Sequence, residues 1–253
     1  MARLSASDRQ ERILRLLAQN GTARTAELAE QFGVSRETIR RDLMALSESG
    51  QVKTMFGGVV PTGEPGMANV EQRTLLRPDD KARIGRKVLE LVGDRRFVYV
   101  DNGSTALACA KVLALHSGYH VITNSLLVVN ALMDSQNEVS FLGGTVNSRS
   151  RCTYGLQTVS MLRQLRVDVA VLGTSGFDRH TGPSTNGPEA AQVKQEAIAR
   201  AETIVVATDS SKASYSSYMQ YTSWNSVDYL VSDKGLPTES LRLFGDRTHV
   251  ILV

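Results

Sequence analysis

Apolar residues at the start of the chain recur three or four positions apart, which is the spacing that gives a helix one apolar face. Three short helices are predicted, and their apolar residues are Ile13, Leu16 and Leu17, then Leu28 and Phe32, then Ile39, Leu43 and Leu46. Thr25 is expected to cap the second helix and Ser35 the third, because hydroxyl side chains accept bonds from free N–H groups at a helix start. Gly33 supplies the sharp turn between them, so the pattern predicts a helix-turn-helix.

A β-hairpin is predicted directly after the third helix. The β-forming run 52–56 and the pair Val59-Val60 flank two adjacent glycines, Gly57 and Gly58, which tolerate the positive φ angles of a tight turn. A hairpin in this place would act as a wing that lies against DNA phosphates, with Lys53 supplying positive charge.

The pattern changes near residue 61. The segment 61–80 concentrates proline, glycine and polar residues, which is typical of a connection between domains. We therefore divide the chain into a winged helix-turn-helix domain at 1–60, a linker at 61–80 and a larger domain at 81–253.

Short β-forming runs alternate with helical patterns in the larger domain. Strands are expected at 97–100, 121–122, 139–142, 167–172, 204–207, 229–231 and 250–253. Helical patterns at 106–115 and 190–201 separate several of them. Strands that alternate with helices predict an α/β domain built on a mostly parallel sheet.

Composition narrows the class of protein without adding a site. Of the 253 residues, 42% are hydrophobic and 22% are charged, which is ordinary globular composition and excludes a disordered chain. The apolar runs fall short of the ~20 residues that cross a bilayer, and the first residues lack the apolar core of a signal peptide. The two cysteines, Cys109 and Cys152, have no metal-ligand spacing. We expect a cytoplasmic protein with no membrane partner, no metal and no cofactor.

The net charge of +3 is concentrated at the start of the chain, because residues 1–60 carry nine basic and seven acidic side chains. On the third helix Arg36, Arg40 and Arg41 lie away from the apolar stripe, and arginine forms bidentate bonds to guanine in the DNA major groove. Double-stranded DNA is thus the expected partner, and the candidate contacts are Thr25, Ser35, Arg36, Glu37, Thr38, Arg40, Arg41, Lys53, Gly57 and Gly58. A solvated helical bundle or a protein-docking module would show a similar charge pattern.

Small and hydroxyl-bearing residues follow the predicted strands of the larger domain. Gly103, Ser104 and Thr105 lie between the first strand and a helix, where unpaired backbone N–H groups favour an anion such as phosphate. Similar turns after four later strands contain Thr123, Asn124, Ser125, Gly143, Gly144, Gly173, Ser175, Gly176 and Asp209. Because turns after parallel strands share one edge of a sheet, they predict a binding site there, with Lys194 and Lys212 as candidate counter-charges. One such turn alone would be explained by helix capping.

The stretch 26–52, AELAEQFGVSRETIRRDLMALSESGQV, resembles the amino-terminal signature of the DeoR family of bacterial transcriptional regulators, above all in VSRETIRRDL. The resemblance implies that this domain binds DNA. One departure concerns the wing, where family members often carry Arg-x-His before the two glycines and this chain carries Thr54-Met55-Phe56. Wing contacts made by arginine or histidine in relatives are therefore not transferred.

Motifs of the larger domain resemble the effector domain of the same family, so that the resemblance covers nearly the whole chain. They are Lys81 with Ile84, Asp101-x-Gly103-Ser104-Thr105, Thr123-Asn124-Ser125, Leu142-Gly143-Gly144, Gly173-x-x-Gly176, Glu189-Ala190 with Val193-Lys194, and Asp209-Ser210-Ser211-Lys212. That domain is related in fold to ribose-5-phosphate isomerase and the sugar-phosphate deaminases, and the resemblance implies a sugar phosphate as effector. It implies phosphate contacts at Gly103, Ser104, Thr105 and Lys212, and sugar-hydroxyl contacts at Asp101, Asn124, Glu189 and Lys194.

The expected function is that of a transcriptional repressor of a sugar-catabolism operon, with an operator affinity that a phosphorylated sugar modulates. A homo-oligomer, dimer or tetramer, is expected because one helix-turn-helix covers only a half-site. The alternative is a sugar-phosphate isomerase or deaminase fused to a DNA-binding domain, with Asp101, Glu189 or Asp209 as acid or base. No catalytic residue is assigned under the main interpretation.

Overall fold

The computed structural model describes residues 5–20, 23–49, 51–55, 58–61, 70–178, 182–213, 217–236, 244 and 247–253. The chain divides into two compact units, Met1–Ala68 and Asn69–Val253, and each is considered by itself. Within the described helices, none combines the length and the apolar character that a membrane span requires.

The first unit contains three helices and a three-stranded antiparallel sheet. Its elements are α1 (Ala6–Asn20), β1 (Ala23–Arg24), α2 (Thr25–Phe32), α3 (Arg36–Glu48), β2 (Val52–Met55) and β3 (Gly58–Pro61). The sheet has the order β1-β3-β2, and both outer strands run antiparallel to β3. Ile13, Leu28, Ile39 and Val52 are buried in a shared core. This arrangement confirms the predicted winged helix-turn-helix and adds the short strand β1.

Helix α3 begins at the predicted cap residue, whereas helix α2 begins one residue earlier than predicted. Gly33 adopts the left-handed conformation with φ 61°, and the Ser35 hydroxyl accepts a backbone N–H from the first turn of α3 at 3.1 Å. The prediction for Thr25 is wrong, because Thr25 is the first helical residue and Arg24 is the N-cap residue. The Glu27 carboxylate accepts the Arg24 N–H at 3.3 Å, so an acid in the first turn replaces the expected hydroxyl cap.

The second unit alternates helices and strands. Its helices are α4 (Val70–Thr74), α5 (Pro78–Val92), α6 (Ser104–Leu113), α7 (Leu126–Leu132), α8 (Leu156–Arg163) and α9 (Pro188–Arg200). Its strands are β4 (Phe97–Val100), β5 (His120–Thr123), β6 (Glu138–Phe141), β7 (Thr145–Asn147), β8 (Cys152–Tyr154), β9 (Val167–Leu172), β10 (Gly176–Asp178), β11 (Gly182–Thr185), β12 (Ala201–Ala207), β13 (Met219–Gln220), β14 (Tyr229–Ser232) and β15 (His249–Leu252). Two 3₁₀ turns lie at Ser210–Lys212 and Trp224–Ser226.

Seven strands form the central sheet in the order β15-β14-β12-β9-β4-β5-β6, and every neighbouring pair is parallel. All seven are the strands expected from the sequence. The bounds of β4 and β9 match the prediction, β6 and β15 begin one residue earlier, and β12 begins at Ala201. The parallel α/β fold is therefore confirmed.

Helices cover both faces of this sheet. Val98 and Val100 of β4 lie in one core with residues of α5, α6 and α7, whereas Tyr99 lies in the other with residues of α8 and α9. All six residues of β9 are buried, because a central parallel strand has no solvent face.

Two features of the second unit depart from the prediction. Helix α4 and the first residues of α5 fall inside 61–80, so the second half of the segment expected to be a linker contains helices, and residues 62–69 lie outside the described residues. The small sheets β7-β8 and β10-β11-β13 are also absent from the prediction, because their strands are short and lack a regular apolar alternation.

Candidate functional site

The outer surface of α3 carries charged side chains that are free to meet another molecule. The side chains of Arg40 and Arg41 are 74% and 80% exposed, and their guanidinium groups lie 3.9 and 3.8 Å from the Glu37 carboxylate. Ion pairs this exposed contribute little to stability, so a DNA phosphate or base can replace them at low cost. Arg36 is exposed as well. Thr38 differs, since its N–H and hydroxyl both bond to Ser35 in the cap of α3.

A buried ion pair fixes α3 against α1. Arg9 Nε donates to Asp42 Oδ2 at 2.5 Å, and a second guanidinium nitrogen donates to Asp42 Oδ1 at 3.1 Å. The hydrogen bond that Arg9 donates to Asp42 raises the pKa of Arg9. The sequence interpretation missed this pair, although Asp42 stands between Ile39 and Leu46 on the apolar face of α3 and therefore needs a buried partner.

The predicted wing is only partly within the described residues. Lys53 of β2 lies opposite Val60, and Gly58 begins β3 opposite Met55, so the hairpin has the expected register. Gly57 and Phe56 lie outside the described residues.

At the carboxyl-terminal edge of the central sheet, Asp101 and Lys194 are brought together. The Lys194 ammonium donates to Asp101 Oδ2 and, at 3.0 Å, to the carbonyl of Gly173. The Gly173 N–H donates to Asp101 Oδ2 at 3.0 Å. These three predicted residues therefore form one contact group. Asp101 and Lys194 are bonded to each other and not to solvent, so a sugar hydroxyl could not bind them simply by displacing water.

Two tyrosines, both missed by the sequence interpretation, line this contact group. Tyr221 donates to the Gly173 carbonyl at 3.1 Å and packs its ring 5.2 Å from the Lys194 ammonium. Tyr99 donates to Asn124 Oδ1 at 3.1 Å. Burial raises the pKa of both tyrosines well above the ordinary value, with Asp101 adding to the shift. Both phenols are therefore neutral hydrogen-bond donors at physiological pH.

The turn after β5 has structural bonds of its own. Asn124 donates to the Thr153 carbonyl at 2.8 Å, Thr123 accepts the Ser125 N–H at 3.0 Å, and Ser125 caps α7. All three predicted side chains are buried. They hold β8 beside β5, so any ligand contact would be additional to these bonds.

The start of α6 has the features of an anion site. Gly103 is its N-cap residue with φ 121°, and no side chain among the residues that the structure describes caps the helix. A Cβ added at Gly103 would meet no atom of the described residues within 4 Å, so the space beside this glycine is open in the described part of the chain. Ser104 and Thr105 are the first two helical residues and are buried.

A group of cations lies around the turn that follows β12 at the same edge: Lys212 belongs to this turn, Arg73 to α4 and Lys81 to α5, and we call these three residues the basic cluster. Lys81 Nζ donates to the carbonyls of Arg73 and Leu76, each at 2.6 Å, and lies 3.9 Å from Asp209 Oδ2. Arg73 Nε is buried and has no hydrogen-bond partner among the described residues.

Burial lowers the pKa of every member of the basic cluster, and it lowers that of Lys81 to about 8. The charge of Asp209 opposes the shift at each position, whereas the charge of Arg73 lowers the pKa of both lysines and that of Lys212 further lowers the pKa of Lys81. The cluster is thus a partly desolvated region of positive charge that an anion would stabilise.

The turn that carries Lys212 is tied to Arg77. The Arg77 guanidinium donates to the Ser210 hydroxyl at 2.8 Å and lies 3.6 Å from Asp233. Asp233 accepts the Ser210 N–H at 2.6 Å and its hydroxyl at 2.8 Å. Burial opposes ionisation of Asp233, but these bonds, one from Gly235 and the charge of Arg77 together lower its pKa.

Comparison with known families identifies the chain. The first unit matches the DeoR-like helix-turn-helix domain over residues 9–62, and the second matches the DeoR C terminal sensor domain over residues 77–234. The chain belongs to the DeoR family of transcriptional regulators. The family predicted from the motifs is therefore confirmed for both units.

Relatives of this DeoR-family regulator are similar over almost their whole length. The chain is 32% identical to the HTH-type transcriptional repressor GlcR of Bacillus subtilis, over 95% of this chain and 93% of that protein. It is 29% identical to the Glycerol-3-phosphate regulon repressor of Escherichia coli strain K12, over 95% and 96%. It is 30% identical to the HTH-type transcriptional regulator GolR of Listeria innocua, over 94% and 95%. These similarities support a DNA-binding regulator over the isomerase or deaminase alternative.

Solved structures show a weaker likeness to the DeoR-family regulator. A ribose-5-phosphate isomerase in complex with phospho-erythronic acid matches with a TM-score of 0.41 at 17% identity, over 54% of each chain. Ribose 5-phosphate isomerase A of Methanocaldococcus jannaschii matches with the same TM-score of 0.41 at 18% identity, again over 54% of each chain. No ligand contact is transferred from either.

The remaining predicted site residues of the DeoR-family regulator make their described contacts with residues outside the basic cluster. A Cβ at Gly144 would lie 2.3 Å from the Thr158 hydroxyl, and the Gly143 carbonyl accepts that hydroxyl at 2.6 Å, so both glycines pack the β7-β8 hairpin against α8. Gly176 and Ser175 bond to Ser184 within the β10-β11 hairpin. Glu189 is exposed in the first turn of α9.

The regulator's basic cluster contains one residue that the sequence interpretation missed and one that it quoted only within a motif. Arg73 lies in the segment interpreted as linker, as does the neighbouring Arg77, whereas Lys81 belongs to a family motif. A signal was present, because positions 73, 77 and 81 are all basic and follow one another at intervals of four residues.

Proposed function

We propose that this regulator is a repressor whose affinity for operator DNA is modulated by a phosphorylated sugar, bound at the carboxyl-terminal edge of the central sheet. The observation that carries the proposal is the basic cluster, in which burial lowers the pKa of Arg73, Lys81 and Lys212 around the Asp209 carboxylate. A phosphate ester carries about two negative charges at pH 7. Its binding would offset the unfavourable burial of like charges.

The strand order supports a phosphate site shared between the basic cluster and α6. Strands β12, β9 and β4 are consecutive in the sheet, so the turn with Lys212 and the helix start at Gly103 lie at one edge with a single strand between them. Ser104, Thr105 and the free N–H groups of α6 would complete the contacts to the phosphate. Asn124 and the remaining lone pairs of Asp101 would bind sugar hydroxyls.

The DNA-binding part of the proposal rests on the exposed arginines of α3. A single recognition helix covers half of a two-fold operator, so the repressor would act as a homo-oligomer, a dimer or tetramer. Cys109 and Cys152 are free and buried thiols, which fits action in the reducing cytoplasm.

Thermal unfolding tests the effector site. Inorganic phosphate, a panel of pentose and hexose phosphates and the matching free sugars are each added to the whole protein. A ligand that binds only the folded form raises the melting temperature, so we expect a rise with phosphorylated compounds and none with free sugars. Lys212→Ala should abolish the rise, whereas Lys111→Ala, which removes an exposed lysine of α6, should preserve it. Equal shifts with free sugars would contradict the proposal.

Operator binding tests the regulatory half of the proposal. A duplex is selected from a random library by the wild-type protein, and its affinity is followed by fluorescence anisotropy with and without the sugar phosphate that gives the largest thermal shift. A coupling of ~1–3 kcal/mol predicts an affinity change of about 5- to 150-fold. An unchanged affinity at saturating ligand would contradict the proposal.

A further inference from the structure

Arg77 has a backbone conformation that its sequence disfavours. Its φ and ψ of 49° and 50° are left-handed, and Pro78 follows it at the start of α5. Residues other than glycine rarely adopt this region, and a residue before proline prefers an extended backbone. Such a conformation persists only where surrounding contacts hold it, and it is frequent at switching sites.

The contacts that hold Arg77 lead to the proposed effector site. Its guanidinium donates to Ser210, the first residue of the 3₁₀ turn that ends at Lys212. The Asp233 carboxylate accepts hydrogen bonds from both the N–H and the hydroxyl of the same serine. A ligand that draws Lys212 towards its phosphate therefore acts on the turn that holds the Arg77 side chain.

The main chain of Arg77 leads in the other direction, to residues 70–76. This segment is the first described part of the chain after β3, and it reaches Arg77 through Leu76. The Arg77 carbonyl accepts the Lys81 N–H at 3.1 Å, and the Lys81 ammonium holds the carbonyls of Arg73 and Leu76. An anion at the basic cluster competes for that ammonium and so weakens its hold on the segment.

We propose that Arg77 is a positioning residue that couples occupancy of the effector site to segment 70–76, the end of the connection from the DNA-binding unit. The inference rests on the proposed function and concerns the regulation of the same site. Arg77 does not contact the ligand in this scheme. Ligand binding shifts Ser210 and Lys81 together. Arg77, which bonds to Ser210 through its side chain and to the Lys81 N–H through its carbonyl, transmits this shift to segment 70–76.

The test compares Arg77→Gly with wild type and with Arg83→Ala. Glycine keeps the left-handed backbone without strain and removes only the side-chain contacts. Arg83 pairs with Asp80 at the surface of the same helix and serves as the matched control. Ser210→Ala, which removes the hydroxyl that Arg77 binds, is a second and milder variant.

Two readouts separate coupling from binding: the melting-temperature rise produced by inorganic phosphate and by the most effective sugar phosphate, and the anisotropy of the selected operator duplex with that sugar phosphate. We expect Arg77→Gly to keep the thermal shift and the ligand-free operator affinity, but to lose most of the about 5- to 150-fold change in operator affinity that the ligand produces in the wild type. Ser210→Ala should lose part of it, and Arg83→Ala none.

Three outcomes would overturn the inference, two in the variant and one in the wild type. An Arg77→Gly protein that responds like wild type shows that the side chain does not couple the site, and one that no longer binds the sugar phosphate shows that Arg77 is a ligand contact. A wild-type protein without any ligand response rejects the proposed function, and with it the inference. The wild-type arm therefore distinguishes the two failures.

Discussion

Lys194 and Asp101 form an ion pair beneath the carboxyl-terminal edge of the central sheet, with only 5% and 1% of their side-chain surfaces exposed. Gly173 bonds to both, through its N–H and its carbonyl. The pair thereby joins the end of β4, the turn after β9 and the middle of α9. Its first role is to stabilise the three elements that lie beneath the proposed effector site.

Lys194→Met should destabilise the effector unit by about 3–5 kcal/mol, because it leaves the Asp101 carboxylate buried without a cation. Urea unfolding measures the loss. The double variant Asp101→Asn with Lys194→Met should be more stable than Lys194→Met alone. Arg163→Met removes a surface pair with Glu196 and should change stability by less than about 1 kcal/mol, so an equally small loss for Lys194→Met would sink the prediction.

Arg9→Met should disturb the recognition helix without affecting the effector unit. Asp42 of α3 would remain buried without its cation, and the loss of stability in the first unit should be about 3 kcal/mol. Operator affinity should fall, while the melting-temperature rise of the effector unit with sugar phosphate should persist. Arg12→Met removes an exposed arginine of α1 and is the matched control, which should bind the operator normally. Equal operator affinity of both variants would count against the prediction.

Arg41→Ala should weaken operator binding by about 1–3 kcal/mol if the side chain contacts a base, and should lower the salt dependence if it contacts a phosphate. The Arg41 side chain is 80% exposed, so the substitution should leave folding unchanged. Fluorescence anisotropy at two salt concentrations distinguishes the cases. Arg86→Ala, an exposed arginine of the effector unit, should have no effect. An unaltered affinity would remove Arg41 from the recognition surface.

Effector affinity should fall as the pH rises above 8. Burial lowers the pKa of Lys81 to about 8 in the free protein. A bound dianion favours the ammonium form and raises that pKa, so above pH 8 the complex holds a proton that the free protein has lost. Binding then takes up a proton, and the affinity falls by up to about tenfold per pH unit for one linked proton.

Calorimetry at about pH 7 and about pH 9 measures both the affinity and the proton uptake, the latter from two buffers of different ionisation enthalpy. Lys81→Met should bind more weakly and should flatten the pH dependence. Lys87→Met, on the same helix but partly exposed, should retain the wild-type profile. An affinity that increases from pH 8 to pH 9 would refute the assignment of Lys81 to the anion site.

Much of the fold is predictable because its signals are local. The continuous apolar run of β9 and the helical spacing of Ile39, Leu43 and Leu46 each depend on residues close in sequence. The helix start at Thr25 is a failure of the same kind of reasoning, since Arg24 is the N-cap residue and its N–H is accepted by the Glu27 carboxylate, whereas the Thr25 hydroxyl was expected to accept an N–H of the first turn. Helix α4 was missed because it has only five residues, too few to show a helical periodicity, and follows a segment rich in proline and glycine.

The amino-acid sequence by itself determined the two units, the seven parallel strands, the family and the edge of the sheet where small residues gather. Each of these depends on periodicity or motif spacing, which can be read from the order of residues alone. Tertiary structure alone decided which charges are partners. Asp101 and Lys194 are 93 positions apart and Arg9 and Asp42 are 33 apart, and no local pattern encodes such pairs. Burial also had to be known before the basic cluster could be recognised, because a lysine at the surface and a desolvated lysine beside two other cations are the same letter in a sequence but differ in charge energy and in pKa.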